Sequence, residues 1–200
     1  MDQPAPSKPV VIILDMAKGY GWEPGGLGYD MVAQVRRLKD AAHAAGVPVI
    51  HVHSMRRPTD HVPNPRMMVG TANIEVIPEL LPIDDDIIVY KRYLSGFSHN
   101  DLDYTLRTMG CDATIICGAS TDNTVLWTSA DAFQHRYRVI VPEDCTMVHR
   151  EGEDPAHQTV ALSIIRKVLD GEVLPLEAVV AKYLRPARNR QRNRRAGDNG

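Results

Sequence analysis

The sequence predicts an open three-layer α/β fold, in which helices cover both faces of a parallel sheet of five to six strands. The first observation is that short runs rich in Val and Ile alternate with longer segments whose apolar residues recur every three or four positions. The second is that the short runs are continuously apolar, whereas a strand with one solvent-exposed face alternates apolar and polar residues. Alternating strands and helices, with strands buried on both faces, are typical of a three-layer architecture.

Each strand candidate is a short apolar run that is rich in β-branched residues. In chain order the runs are Pro9–Leu14, Val47–Val52, Ile87–Tyr90, Ala113–Cys117 and Tyr137–Val141. Glu172–Leu174 is expected to add a short strand at one edge of the sheet, which would bring the number of strands to six.

The helix candidates lie between those runs. Gly46 ends the first helix and Gly110 ends the second, because glycine readily adopts the left-handed conformation that closes a helix. Two further helices are predicted over Asp122–Gln134 and Pro155–Leu169. The apolar positions that mark the first two helices are Met31, Val35, Leu38, Ala42 and Ala45, then Leu102, Leu106 and Met109.

A chain of 200 residues, 44% hydrophobic and 24% charged, is large enough for one well-buried core. We expect one domain over residues 1–184 and a basic tail over 185–200. The total formal charge is −2, and because the tail carries six Arg and one Asp, residues 1–184 carry −7. An acidic body argues against nucleic-acid binding by the domain. The tail has the composition of a disordered extension, either passively solvated or in contact with an acidic partner, RNA or a neighbouring subunit.

The apolar runs and the cysteines exclude three classes of protein. No apolar run approaches the roughly 20 residues that cross a bilayer, and no leader with a cleavage site precedes the first run, so we expect a cytoplasmic protein without a membrane contact. Cys111, Cys117 and Cys145 are odd in number and lack the spacing of metal-ligand pairs. A disulfide scaffold and a zinc finger are therefore excluded.

Candidate functional residues follow three of the predicted strands. Ligands of open α/β sheets bind outside the carboxyl ends of the strands. Asp15 closes the first strand, Lys91 closes the third, and the segment Gly118–Thr124 joins the fourth strand to its helix. Asp15 and Lys91 form either a structural ion pair or a catalytic one. The N–H groups at the start of the helix either hold a developing oxyanion or are simply capped by nearby side chains.

These segments resemble the isochorismatase-like hydrolases, also called the cysteine hydrolases. The resemblance spans Pro9–Leu184 and is carried by three motifs in order: VVIILDMAKGY, then YKRYLSGF followed by DLDYTLRTMG, then CGASTDNTVLWTSADAF followed by YRVIVPEDCT. Tyr90–Phe97, His157 and the closing VLPLEAVVAKYL are similar to the branch that holds N-carbamoylsarcosine, biuret and ureidoacrylate amidohydrolases. The resemblance implies a small-molecule substrate, no cofactor, no metal, and a homodimer or homotetramer with the site near a subunit interface.

The resemblance also implies a role for each residue at the strand ends. Asp15 is the acid/base, Lys91 is its electrostatic partner, and Ala119–Ser120 is the cis peptide bond that helps to form the oxyanion hole. The family pattern G-x-x-T-x-x-C here ends in Thr124, so a threonine occupies the position of the nucleophilic cysteine. None of the three cysteines of the chain stands at a position from which it could replace that thiol.

The threonine leaves three functions open, because a thiol with a pKa near 8.5 is partly ionised at neutral pH and an alcohol is not. In the first, Asp15 activates Thr124 and the protein hydrolyses the C–N bond of a small amide, carbamoyl or ureido compound. In the second, Asp15 protonates a vinyl ether and water completes the cleavage, as in the true isochorismatases, without a covalent intermediate. In the third, the fold is an inactive binding or interaction module. Retention of both Asp15 and Lys91 favours chemistry, since an idle buried ion pair is replaceable by apolar residues.

Five further residues are candidates for the pocket wall. Tyr20, Trp22 and Phe97 follow the acid and lysine segments and are suited to apolar walls. Arg92, like Arg56 and Arg57, lies near a strand end and is able to bind a substrate carboxylate through two hydrogen bonds. The last candidate is a histidine of the second strand, His53.

A metal site is not expected. Nicotinamidases of the same superfamily carry a D-x-H metal motif at the turn after the second strand, where this chain has Met55-Arg56-Arg57. We also expect His51 and His53 to point to opposite faces of their strand, so that they do not bind one metal together.

Overall fold

The computed structural model describes residues 6, 8–61, 65–83, 85–148, 152 and 154–185. Within these residues seven strands form one sheet in which every pairing is parallel, which confirms the predicted α/β class. The strands are β1 (Pro9–Leu14), β2 (Val49–Ser54), β3 (Ile87–Lys91), β4 (Ala113–Ala119), β5 (Arg138–Pro142), β6 (Thr146–Met147) and β7 (Glu172–Leu174). Their order is β3-β2-β1-β4-β5-β7, and β6 pairs with the end of β4.

Five α-helices connect and cover the strands within the described ranges. They are α1 (Tyr29–Ala44), α2 (Leu102–Thr108), α3 (Leu126–Gln134), α4 (Ala156–Lys167) and α5 (Leu176–Tyr183). A single π-helical turn, Thr121–Val125, leads from β4 into α3. None of the described helices combines the length and the apolar character needed to span a membrane.

The sheet separates two apolar clusters, because successive residues of a strand point to opposite faces. Helices α1 and α5 pack on the face to which Val11 and Ile13 of β1 point. Helices α2, α3 and α4 pack on the face of Ile12 and Leu14. All six residues of β1 are buried, as their continuous apolar pattern predicts.

The structure corrects the predicted boundaries of two strands that carry the site. Pro48 has no amide hydrogen for a β ladder, and β2 begins at Val49, two residues after its predicted start. Its other end extends to Ser54, which pairs with Lys91, so β2 ends two residues beyond its predicted end. Strand β4 likewise extends two residues beyond Cys117, to Ala119.

Two elements of the structure have no counterpart in the sequence prediction. Strand β6 has only two residues, too few for an apolar pattern, and forms through its pairing with Gly118 and Ala119. Helix α5 has eight residues, and Leu176 and Val179 become buried only when they pack on the cluster around α1. The predicted edge strand Glu172–Leu174 is confirmed as β7. The predicted tail lies, apart from Arg185, outside the described residues.

Candidate active site

The site lies where the direction of the sheet order reverses. From β1 the chain proceeds to β2 and β3 on one side, and β4 then returns to pair with the other side of β1. Crevices at such switch points, outside the carboxyl ends of the strands, are where open α/β sheets bind ligands. Gly118 permits the close contact between the two central strands there: its φ is +106°, and a Cβ at this position would lie 2.1 Å from the carbonyl oxygen of Leu14.

The Asp15 carboxylate is the centre of the site. Its backbone turns out of β1 in a left-handed conformation with φ of 54°, which aspartate tolerates better than most residues. The side chain is buried and accepts two hydrogen bonds, from the Ser54 amide to Oδ1 over 2.8 Å and from Thr124 Oγ1 to Oδ2 over 3.1 Å, and Lys91 Nζ forms an ion pair with Oδ2 at 2.8 Å. Its negative charge is therefore compensated without water.

Lys91 is almost completely buried, with 1% of its surface exposed. Besides the bond to Asp15, its ammonium donates to Ser54 Oγ over 3.0 Å and to the carbonyl oxygen of Tyr93 over 3.1 Å. Together with the ion pair to Asp15, these two hydrogen bonds place three oxygen atoms around the ammonium. The lysine reaches Asp15 across the end of β2, and Ser54 fixes both partners of the ion pair.

Thr124 lies in the π-helical turn after β4. The peptide bond between Ala119 and Ser120 is cis, and the carbonyl oxygen of Ser120 accepts hydrogen bonds from the amides of Asn123 (3.2 Å) and Val125 (3.1 Å). Farther along the site, a bond of 2.7 Å between the hydroxyls of Thr121 and Thr146 ties the turn to β6. The turn therefore holds the Thr124 hydroxyl facing Asp15.

These groups open into a cavity of about 260 Å³, the size of a small molecule. Its wall includes Tyr20 and Trp22, two of the residues expected there, and the indole of Trp22 donates to the carbonyl oxygen of Asp15 over 3.4 Å. Burial and the nearby carboxylate of Asp15 raise the pKa of Tyr20, so its hydroxyl stays protonated. The full lining is Asp15, Tyr20, Trp22, Ser54, Arg56, Arg66, Lys91, Tyr93, Leu94, Ala119, Ser120, Asn123 and Thr124.

Three residues expected in the pocket wall lie elsewhere. His53 is completely buried within the sheet, and burial lowers its pKa to about 3. Arg92 pairs with Asp60 at a neighbouring cavity of about 220 Å³. Phe97 stacks on His135, with their ring centroids 5.1 Å apart. Proximity to a strand end in sequence does not set the direction of a side chain, which here points away from the crevice.

Several lining residues were not singled out by the sequence. Ser54 was missed because the predicted end of β2 lay two residues too early. Tyr93 and Leu94 come from an irregular segment and Arg66 from a three-residue 3₁₀ turn, and apolar spacing gives no side-chain direction for either. Asn123 lies within the Gly118–Thr124 segment, whose contribution to the site was predicted only as a whole.

The prediction that His51 and His53 point to opposite faces is wrong, because residues two positions apart on a strand share a face. Their rings lie side by side with centroids 6.0 Å apart. Within the described ranges, no group of three or more His, Cys, Asp or Glu side chains is arranged to hold a metal ion.

The cysteines do not supply a thiolate to this site. None of the three lines the cavity. Burial raises the pKa of Cys111 to about 12 and that of Cys117 and Cys145 far above the ordinary value, so all three are protonated thiols at neutral pH. Thr124 occupies the position that faces the Asp15 carboxylate.

Fold and site together define an α/β protein with a buried Asp–Lys pair at the switch point of its sheet. The sequence profile of the isochorismatase domain matches residues 9–171, and the chain belongs to the isochorismatase family of hydrolases. The ureidoacrylate amidohydrolase of Agrobacterium fabrum is 27% identical over 192 residues, covering 80% of this chain and 83% of that protein.

Solved structures give the same family. A cysteine hydrolase from Pseudomonas syringae pv. phaseolicola superimposes with a TM-score of 0.78 and 28% identity over 91% of this chain and 98% of that one. The N-carbamoylsarcosine amidase from Thermoplasma acidophilum superimposes with a TM-score of 0.73 and 28% identity over 85% and 97% of the two chains. These comparisons confirm the family predicted from the three motifs.

Proposed function

We propose that the protein hydrolyses the C–N bond of a small amide, carbamoyl or ureido compound, with Asp15, Lys91 and Thr124 as its catalytic residues. The observation that carries the proposal is the convergence of Lys91 Nζ and Thr124 Oγ1 on one oxygen of Asp15, at the wall of a cavity of about 260 Å³. The relatives named for amidohydrolase or amidase activity support the class of substrate.

In the proposed reaction Thr124 Oγ attacks the carbonyl carbon while its proton passes to Asp15 Oδ2, the atom that it already contacts at 3.1 Å. The C=O electron pair moves onto oxygen, and the backbone around Ala119 and Ser120 is the proposed site for that negative charge. Collapse of the intermediate breaks the C–N bond, and the proton held by Asp15 passes to the leaving nitrogen. Water then attacks the ester carbonyl while Asp15 accepts its proton, the bond between that carbon and Thr124 Oγ breaks as the acid leaves, and the proton on Asp15 returns to Thr124 Oγ.

The alternative without a covalent intermediate begins with a protonated Asp15, which donates to a vinyl ether. The ammonium of Lys91 lies 2.8 Å from Oδ2, and a neutral acid there would leave this buried cation without a counter-ion. The Thr124 hydroxyl also donates a hydrogen bond to this oxygen, which is the arrangement that a general base needs to activate a nucleophile. Both contacts favour a base at Asp15 and therefore the amide route.

The test is a substrate panel of amides, carbamoyl compounds, ureides and vinyl ethers, scored by ammonia release and by product mass. We expect a member of the C–N classes to be hydrolysed, and Asp15→Asn to lower kcat/KM about 10³-fold, within the range for loss of an acid/base group. Thr124→Val, which keeps the shape but lacks the hydroxyl, should lose as much. Thr124→Ser is the matched control and should retain activity within about tenfold.

A covalent ester on Thr124, trapped by acid quench and located by peptide mass spectrometry, would support the nucleophile directly. Full activity of Thr124→Val would contradict it and favour attack by water. Activity that appears only in Thr124→Cys, or only toward vinyl ethers, would overturn the proposed reaction. The homo-oligomeric state, the cytoplasmic location and the role of the basic tail stay predictions from the sequence.

A further inference from the structure

Two neighbouring helices carry apolar side chains on the surface that faces away from the sheet. We propose that this surface is the contact between two copies of this chain, packed about a two-fold axis. It consists of Trp127 in α3 together with Val160, Ile164 and Val168 along α4, and we refer to it as the α3/α4 face. The inference concerns assembly and does not depend on the proposed reaction.

Helix α4 has apolar residues on two of its faces. The residues that face the sheet and are buried are Ala161, Leu162 and Ile165. Val160, Ile164 and Val168 recur every four residues and therefore line a different face of the helix. Val160 and Val168 are 56% and 66% exposed. A helix that packs only on its own sheet needs one apolar stripe, so the second stripe indicates a second partner.

Helix α3 adds the largest side chain of this surface, Trp127, which is 52% exposed. The two helices contact each other and run in the same direction, because each returns between parallel strands of one sheet. Their first turns are level, since Asp122 Oδ2 just before α3 lies 3.9 Å from Nδ1 of His157 in α4. Trp127 therefore lies at the same end of the α3/α4 face as Val160. Exposed apolar surface of this kind marks sites of protein contact, and tryptophan is enriched among the residues that dominate them.

The α3/α4 face also carries one acid and one base. Asp131 lies one turn after Trp127, and Lys167 lies three residues after Ile164. Within the described ranges, neither side chain forms an ion pair or a hydrogen bond. A surface that offers both signs of charge beside an apolar centre is suited to bind a copy of itself.

A two-fold axis between the helices, at the level of Asp131 and Ile164, satisfies both features. It places α3 of one copy on α4 of the other in antiparallel orientation. Trp127 then meets the partner subunit's Val168. Asp131 lies about 4.5 Å along the helix from the level of the partner's Lys167, because three residues rise by that distance, and a lysine side chain spans it. An apolar centre of this kind is typical of permanent contacts between subunits.

The test is sedimentation velocity of the full chain between about 0.1 and 100 μM. We expect a dimer whose dissociation constant rises at least about 30-fold in Trp127→Lys and in Val160→Lys, as for loss of a dominant contact. Ile88→Lys is the matched control. Ile88 is also an exposed apolar residue, but it lies on the edge strand β3, away from both helices, and its variant should associate like the wild type. Thermal unfolding of each variant excludes a folding defect as the cause.

A charge exchange tests the two-fold arrangement itself. Asp131→Lys and Lys167→Asp should each weaken association about 3- to 10-fold, because each places like charges opposite one another. The double variant carries the pair in reverse and should return to within about threefold of the wild type. Losses that add in the double variant would contradict the pairing of Asp131 with the partner's Lys167.

Tryptophan fluorescence provides a second measurement on the unmodified chain. Of its two tryptophans, Trp22 is buried within the subunit and only Trp127 is exposed. Emission should move to longer wavelength on dilution through the dissociation range, and Trp127→Phe should abolish this shift. A tetramer that Val160→Lys splits into dimers would also support the α3/α4 face. A wild type that is monomeric at about 100 μM, a dimer that is disrupted by Ile88→Lys and not by Val160→Lys, or emission unchanged during dissociation would overturn the inference.

Discussion

Two walls of the same cavity differ in how completely their polar groups are satisfied. The inner wall consists of Asp15, Ser54, Lys91 and Thr124, which lie at or just after strand ends and are bonded to one another. The outer wall contains Arg56, whose buried Nε and Nη1 atoms have no hydrogen-bond partner among the described residues. The inner wall is complete without a ligand, whereas Arg56 has donors available for one.

Under the proposed function, reacting groups and recognising groups have different requirements. Groups that react must be held at fixed distances before the substrate arrives, and a network of short hydrogen bonds at the ends of a rigid sheet does this. Groups that recognise a substrate need unused donors, and a loop that follows a strand supplies them at the mouth of the crevice. Three experiments test this comparison on stability, from the largest expected effect to the smallest.

The largest effect is expected from removing the positive charge of each wall in turn. Lys91→Met leaves the buried Asp15 carboxylate without its counter-ion, which should lower the free energy of unfolding by about 3 kcal/mol or more. Arg56→Met removes a cation that holds no carboxylate of the described chain and should change the same quantity by less than about 1 kcal/mol. Urea unfolding at pH 7.5 measures both. Equal costs would show that the two walls do not differ in this way.

A smaller effect is expected from the glycine that lets the two central strands meet. In Gly118→Ala the new Cβ would contact the carbonyl oxygen of Leu14 in a backbone conformation that alanine disfavours, at a cost of about 3 kcal/mol. Gly21→Ala is the matched control: φ is +74° and no atom lies within 4 Å, so strain alone should cost about 1 kcal/mol. Urea midpoints compare the two. A Gly118→Ala variant as stable as Gly21→Ala would show that the strands adjust without cost.

The smallest effect is the pH dependence of the free energy of unfolding that comes from His53, a buried histidine near the inner wall. Because burial lowers the pKa of His53 from 6.5 to about 3, the unfolded chain binds more protons than the folded chain between those values. The contribution of neutral, buried His53 to the free energy of unfolding is therefore fully present above pH 6.5 and declines as the pH falls toward 3. Between pH 7.5 and 5.0 the wild type should lose about 2 kcal/mol more unfolding free energy than His53→Asn.

The matched control for this pH effect is His61→Asn, a substitution at an exposed position. It should follow the wild type through the same pH range. If His53→Asn and the wild type lost stability in parallel, the histidine would not be the source of the acid sensitivity.

Much of the architecture was predictable because burial leaves a direct trace in the sequence. The run Pro9–Leu14 is buried on both faces of the sheet and is apolar throughout. A charged residue directly after such a run must lie at the carboxyl edge of the sheet, which placed Asp15 and Lys91 at one crevice. The position of Thr124 followed from the motif in which it lies.

The arrangement of the cavity wall was less predictable, because it depends on contacts between residues distant in sequence. Ser54 belongs to the site since β2 continues until it pairs with Lys91, a contact that no local pattern encodes. Phe97 was expected in the wall, but it stacks on His135 from the far end of α3. Arg56 was one of three arginines near strand ends, and only its bridge to the segment after Met67 turns it toward the cavity.

The sequence by itself determined the alternation of strands and helices and the family, and it predicted Asp15, Lys91 and Thr124 as the residues of the site. Apolar periodicity, strand-end position and the three motifs that resemble the family suffice for these, because all three are local properties of the chain. Only the tertiary structure decided that Lys91 reaches Asp15 across β2, that Ser54 joins them, and that Arg56 retains unused donors. The physical reason is that hydrogen bonds and charge pairs are satisfied between segments, so a polar group acquires or lacks a partner only when the sheet is assembled.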